Sequence, residues 1–206
     1  MRIAARVFAS VLSIGLSAAA AQARPYTYLI DFGAPGHTEY SGKDFADAKI
    51  VNSSNPGDPG DNFSIKGLEY KLDDAVLRSD LVGAYNLDGD ADASSMDALT
   101  KSFIFSNSDN PTVGGSVTLT LKNVKKDDKI TFAFIRGNQN FDAHVTVAGG
   151  DKKEEKDVTT DKEFTTVGTL TGSDSYTITI TNVAGATGEA DIAGAKITID
   201  SGDDKH

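Results

Sequence analysis

The chain has 206 residues and carries 30 acidic against 20 basic side chains, which gives a net charge of −10, and it contains no cysteine. An acidic surface repels nucleic-acid phosphates and anionic lipids, so neither is an expected partner. Without cysteine there are no disulfides, and stability must come from a packed core. The length suits one domain with a sizeable core.

Residues 1–23 have the pattern of a secretory signal peptide. A basic start precedes an apolar stretch at residues 7–20, and Ala21 and Ala23 are the small residues that a signal peptidase requires. The apolar stretch is short for a membrane span, although an anchor is the alternative. We expect cleavage before Arg24, which removes two arginines and changes the charge to −12, and a protein that is secreted or periplasmic without membrane attachment.

The first half of the mature chain predicts short strands separated by polar loops. A first strand at residues 26–32 alternates aromatic and aliphatic side chains on one face. Residues 73–80 are ambiguous, and a short helical turn is one interpretation. Further strands are expected at residues 63–72 and 101–106, and polar loops at residues 52–61 and 86–95.

After Pro111 the alternation becomes regular and indicates half-buried β-strands. Apolar residues face one side and threonines fill most outward positions, with Gly, Asp, Asn and Ser between the runs. This pattern predicts an all-β fold, an antiparallel β-sandwich of roughly eight to ten strands. We expect a single domain over residues 24–199 with a polar tail at 200–206, and a solvated hairpin tip at the charged run 152–156. The expected strands of the regular part are residues 117–121, 130–134, 143–147, 177–181 and 196–199.

The chain resembles exported bacterial proteins with a galactose-binding-domain-like jelly roll, similar to carbohydrate-binding modules. The similarity is carried by YLIDFG at residues 28–33 and by the segments 115–124, 129–137, 144–150 and 188–197. It implies a jelly roll of the galactose-binding-like type without catalysis. Some such proteins carry a C-terminal Pro-Glu-Pro sorting signal (the PEP-CTERM type), which this chain lacks, so release is expected rather than sorting to a surface.

The sequence offers little for catalysis. Its three histidines are His37, His144 and His206, and no nucleophile elbow, zinc-protease motif or phosphate loop is present. Paired carboxylates could still form a glycosidase site, because such a pair is defined by its separation in space. We expect no enzyme activity, and a secreted hydrolase is the third-ranked alternative.

The best metal candidate is the acidic loop that contains Asp88, Asp90 and Asp92. Alternating carboxylates in a flexible loop can surround a hard cation, which predicts one structural Ca²⁺ ion. An EF-hand-type loop would need Gly and a bidentate acid where Ala93 and Leu99 stand, so the match is partial. The alternative is an acidic loop without an ion.

The best candidate for a ligand site is the segment between two strands that contains Arg136, Asn138, Asn140 and Phe141. Sugar recognition needs planar donors and acceptors for adjacent hydroxyls and an aromatic ring under the pyranose, and this segment supplies both. The alternative is an ordinary tight turn, since Gly and Asn favour turns. Tryptophan is absent, which disfavours a flat polysaccharide-binding platform.

The expected function is therefore non-covalent binding of an extracellular glycan by a secreted module. The main alternative is a structural or adhesive protein that binds another protein or itself. An exposed aromatic side chain beside polar groups in a concave patch would favour glycan binding. A long uncovered edge strand would favour the second, because unpaired backbone groups invite strand addition.

Overall fold

The computed structural model describes residues 25–34, 36–42, 48–52, 63–87, 89, 91–109 and 114–202. This part of the chain forms thirteen strands and one short helix. The strands are β1 (Tyr26–Asp31), β2 (Ala48–Asn52), β3 (Phe63–Leu72), β4 (Ala75–Asn86), β5 (Ser102–Asn107), β6 (Ser116–Lys122), β7 (Lys129–Ile135), β8 (Ala143–Gly149), β9 (Lys152–Val158), β10 (Thr165–Leu170), β11 (Ser175–Asn182), β12 (Glu189–Ile192) and β13 (Gly194–Asp200), and the helix is α1 (Met96–Thr100).

The strands are arranged in two sheets. The small sheet has the order β10-β7-β13-β1-β2, and the large sheet has the order β12-β5-β4-β6-β11-β8-β9 with β3 paired to β4. All pairings are antiparallel except that of β1 with β2. The chain crosses between the sheets repeatedly from β6 to β13, as a jelly roll requires. The prediction of an all-β antiparallel sandwich is confirmed.

The main core fills the space between the sheets. In β6 and β11 every second side chain is buried, which places Val, Leu, Ile and Tyr inside and leaves the threonines on the outer face. Phe32 packs edge-on against Tyr70 with ring centroids 5.6 Å apart, and Phe132 lies 5.5 Å from Tyr176. Burial of these rings stabilises the sandwich without disulfides.

A second, smaller core lies on the outer face of the large sheet. Helix α1 covers Phe103 and Phe105 of β5, and Leu99 and Ile135 complete the cluster. Among the described residues, no helix has the length and apolar character that a membrane crossing requires. The second core supports the turn between β7 and β8, at residues 136–142, which forms part of the candidate site.

Three local predictions were wrong. Charged residues 152–156 form most of strand β9 and not a hairpin tip; six of its seven residues are exposed, so the strand shows no apolar alternation. Residues 73–80 are not helical, because Asp73 and Asp74 form the turn between β3 and β4, which begins at Ala75. Residues 188–197, which the resemblance implies to be one closing strand, contain β12 and the start of β13, and these strands belong to different sheets and are separated at Ala193.

Candidate functional site

The turn at residues 136–142, between β7 and β8, is held at one end of the sandwich by backbone hydrogen bonds. The N–H of Asn138 donates to the carbonyl of Thr100 at the end of α1 (3.0 Å), and the N–H of Arg136 donates to Thr160 (3.1 Å). Asn140 has a φ of 66°, a left-handed conformation that asparagine tolerates well. The turn is therefore a defined structure fixed to α1.

The buried side chain of Arg136 stabilises this turn by hydrogen bonds to two other residues of the turn. The residue is only 8% exposed. Its Nη1 donates to Asp142 Oδ1 at 2.6 Å, and its Nη2 donates to Asn140 Oδ1 at 3.1 Å. The Nε atom is buried without a hydrogen-bond partner. The guanidinium thus ties both ends of the turn together and is not the exposed donor that the sequence suggested.

Asp191 of β12 lies beneath the turn and is fully buried. A Cβ added to Gly137 would come 3.2 Å from Asp191 Cβ, so the turn packs closely on it. Neither Asp191 oxygen has a hydrogen-bond partner. Burial raises the pKa of Asp191 to about 8, with a further increase from Glu189 and an opposing effect of Arg136. The carboxyl is therefore protonated at neutral pH.

A concave pocket of about 200 Å³ opens beside the turn. It is lined by Tyr85, Phe105, Gln139 and Glu189. Phe105 is buried and forms a wall, whereas Tyr85 and Gln139 are half-buried and reach the opening. Glu189 Oε1 accepts a hydrogen bond from Asn107 Nδ2 at 3.3 Å, which orients its carboxylate. The pocket therefore combines aromatic rings with an amide and a carboxylate.

The four residues predicted for the ligand site do not converge on one point. Arg136 is inside, Asn138 is half-buried, Asn140 is exposed and tied to Arg136, and Phe141 is 37% exposed at the surface. The residue between them, Gln139, is the one that enters the pocket. Sequence reasoning located the turn but missed its partners on β4, β5 and β12, because a strand sequence does not reveal which strands become neighbours.

Two of the three predicted calcium ligands, Asp88 and Asp90, lie outside the described residues. Asp92 Oδ1 accepts hydrogen bonds from the N–H and the hydroxyl of Ser94, both at 2.9 Å. Within the described part of the chain, no group of three or more His, Asp or Glu side chains is arranged to hold a metal ion. The calcium site stays a prediction, which melting temperatures with and without calcium would test.

Two histidines can be placed in the structure. His37 is buried against Asp31, with Nε2 3.2 Å from Oδ2, and its Nδ1 donates to the carbonyl of Ala34 at 2.5 Å. The N–H of Tyr40 also donates to Asp31 Oδ2, and burial raises the pKa of Asp31 against these lowering contacts. His144 lies on the outer face of β8, 2.7 Å from Asp157. Both histidines therefore contribute to structural hydrogen bonding.

A wider concavity, of about 480 Å³, is a groove on the outer face of the large sheet. It opens where β4 leaves β6, since these strands pair only over Val76–Arg78. Its lining consists of polar and charged side chains without an aromatic ring: Arg78, Ser79, Asp80, Ser116, Thr118, Thr120 and Lys122. We prefer the smaller end pocket as the candidate site, because it has both rings and polar groups.

The fold and the end pocket together define a β-sandwich protein with a pocket formed by three strands and one turn. No protein-family model matches the chain, and no curated protein matches it. Among solved structures, the chain is similar to a carbohydrate-binding module, TmCBM61, in complex with β-1,4-galactotriose. The two share 10% sequence identity, the match covers 68% of this chain and 84% of that chain, and the TM-score is 0.25. A similarity at this level carries no argument about the site.

Proposed function

We propose that the protein is a secreted or periplasmic, non-catalytic module that binds an extracellular carbohydrate in the end pocket. The observation that carries this proposal is the meeting of Gln139, Tyr85 and Glu189 in one concave pocket. A sugar presents an apolar C–H face and a ring of hydroxyls, so it is bound by an aromatic side chain together with planar donors and acceptors.

Each pocket residue has a role that its chemistry suits. Tyr85 would pack against the apolar face of a sugar ring, and its own ring is supported by Phe103, with centroids 5.9 Å apart. The amide of Gln139 can donate to one hydroxyl and accept from the next, and the carboxylate of Glu189 accepts. Arg136 would act by holding the turn in place, and preorganisation of this kind reduces the entropy lost on binding.

The alternatives have less support from the described residues. Hydrolysis by a carboxylate pair would need two acids facing the substrate, whereas Glu189 lines the pocket and Asp191 is fully buried behind it. Strand addition at the edge strand β9 is disfavoured, because its exposed residues are charged at every position. These observations favour ligand binding over hydrolysis by a carboxylate pair and over strand addition at β9.

A glycan array probed with the mature protein tests the proposal, and β-1,4-galactotriose belongs in the panel because TmCBM61 binds it. For the retained glycan, Gln139→Ala should weaken binding roughly tenfold, since a hydrogen bond contributes about 1 kcal/mol and more in a desolvated site. Its melting temperature should match the wild type, and Thr177→Ala on the exposed face of β11 should bind normally. An array without any retained glycan, or undiminished binding by Gln139→Ala, would contradict the proposal.

A further inference from the structure

A second pocket with the same combination of groups lies at the opposite end of the sandwich. It has a volume of about 280 Å³ and is bounded by the start of β1, the β3–β4 turn, the β6–β7 loop and the end of β13. Its polar and aromatic lining includes Tyr26, Tyr28, Asp73, Asp74, Asn123 and Lys125. None of them belongs to the first pocket.

Hydrogen bonds fix the rim of this second pocket. Tyr28 Oη donates to Asp73 Oδ2 at 2.5 Å, and burial raises the pKa of the Tyr28 phenol, which therefore keeps its proton. On the facing loop, the N–H of Lys125 donates to Asp128 Oδ2 and the N–H of Asp128 donates to the carbonyl of Lys125, both at 3.1 Å. The rim is thus preorganised in the same way as the turn at the other end.

Tyr26 gives this pocket an exposed aromatic ring. It is 54% exposed, against 39% for Leu87 and 37% for Phe141, which are the other exposed large apolar side chains of the described residues. The exposed side chains of Asp74, Asn123 and Lys125 stand around it and offer an acceptor, an amide and a donor. An exposed ring beside such groups in one pocket suits a polyhydroxylated ligand.

The two pockets are separated by the length of a strand. The β6–β7 loop at the second pocket leads into β7, and β7 ends at the turn that builds the first pocket. Its seven residues span about 20 Å. Two saccharide chains could therefore occupy the two ends at once without contact between them.

We propose that the pocket around Tyr26 and Asn123 is a second saccharide-binding site, so that the protein cross-links two glycan chains. The class of ligand rests on the proposed function, whereas the existence of the site rests on its own residues. Binding at both ends makes attachment to a multivalent glycan stronger than either site alone would provide. The molecule would act as a connector between polysaccharide chains.

Titration calorimetry with four neutral trisaccharides, β-1,4-galactotriose, cellotriose, mannotriose and xylotriose, at millimolar concentration tests this. The wild type and Thr177→Ala should bind two molecules per chain of at least one trisaccharide. Tyr26→Ala and Gln139→Ala should each weaken one of the two sites roughly tenfold and leave the affinity of the other site unchanged, and the double variant should weaken both. Because Tyr26 is mostly exposed, the melting temperature of Tyr26→Ala should equal that of the wild type.

The outcomes separate the two proposals. One bound molecule whose affinity Gln139→Ala weakens and Tyr26→Ala leaves unchanged would overturn the second site and leave the proposed function standing. One bound molecule with the opposite response would support the second site and overturn the first. Binding of none of the four trisaccharides would overturn the second site as a site for neutral saccharides, while the glycan array decides the proposed function separately.

Discussion

Arg136 and Asp191 are both buried and ionisable; Arg136 begins the turn at residues 136–142, and Asp191 packs beneath it. They differ in the number of hydrogen bonds that their side chains make. Arg136 has two hydrogen bonds to the turn, to Asp142 and Asn140. Asp191 has none, and it remains acceptable in the core only because it keeps its proton. Removing the charged side chain of Arg136 should therefore destabilise the fold, whereas ionisation of Asp191, rather than its loss, is the unfavourable change.

Asp191 should make stability decrease as the pH rises. Its folded-state pKa of about 8 lies above the ordinary aspartic-acid pKa of 3.8, which applies to the unfolded chain, so between these values the unfolded chain loses a proton that the folded chain keeps. Stability is then full below about pH 4 and falls by up to about 1.4 kcal/mol per pH unit towards pH 8. Asp191→Asn should remove this contribution and make the slope smaller, while the buried Asp31, whose pKa is also raised, still contributes to it.

Urea denaturation at pH 5 and pH 8 measures the difference. Asp127→Asn, which changes an exposed carboxylate, is the control and should keep the slope of the wild type. Equal slopes for Asp191→Asn and the wild type would show that Asp191 is not the group responsible.

Arg136→Ala should destabilise the fold, because it leaves Asn140 and the partly buried Asp142 without their partner. A loss of about 1–3 kcal/mol is expected for a charge-assisted interaction of this kind. Arg78→Ala is a matched control, since its ion pair with Asp80 is exposed on both sides and such pairs contribute about 0–1 kcal/mol. Equal midpoints of thermal unfolding for the two variants would argue against a bracing role of Arg136.

At the scale of elements, the charges of β9 protect the edge of the large sheet. Charged side chains on an edge strand prevent pairing with a second molecule. Lys153 and Glu155 contact each other on this strand and face solvent. Strand β12, at the other edge, has only four residues and offers little to pair with.

Replacing Lys153 and Glu155 together by valine should cause association, because it places two apolar side chains on the solvent-exposed part of this seven-residue edge strand. Light scattering at rising protein concentration would detect the aggregates. The control is Thr118→Val with Thr179→Val, which adds apolar side chains to neighbouring interior strands without altering an edge. If the double β9 variant stays monomeric, its charges are not what keeps the edge unpaired.

The strands and the helix also show which parts of the fold can be predicted from the sequence. Strands β6, β7, β8, β11 and β13 were located to within two or three residues, because each buries one face and keeps the other wet. Strand β9 has no alternation of apolar and polar residues, since its side chains are exposed to solvent on both faces. Helix α1 has only five residues, and its position depends on the packing of Leu99 over β5.

At the scale of the whole molecule, both pockets are built by residues distant in the sequence. The turn at 136–142 was recognisable from its own residues, whereas Tyr85 and Glu189 reach it only through the pairing of β4 and β12 with β5. The second pocket similarly joins Tyr26 to Asn123. Local composition can thus identify a candidate loop, but the partners of that loop follow from strand order, which single-sequence patterns do not determine.

The position of β13 has a consequence for how the chain reaches its native state. This last strand lies inside the small sheet, between β7 and β1, and Tyr26 is paired with Ile199. The small sheet therefore cannot close until residues up to about 199 have been synthesised. Such distant pairing slows folding, typically to milliseconds or seconds. Until β13 is available, β7 and β1 lack the strand that joins them, so the small sheet forms only when the two ends of the domain meet.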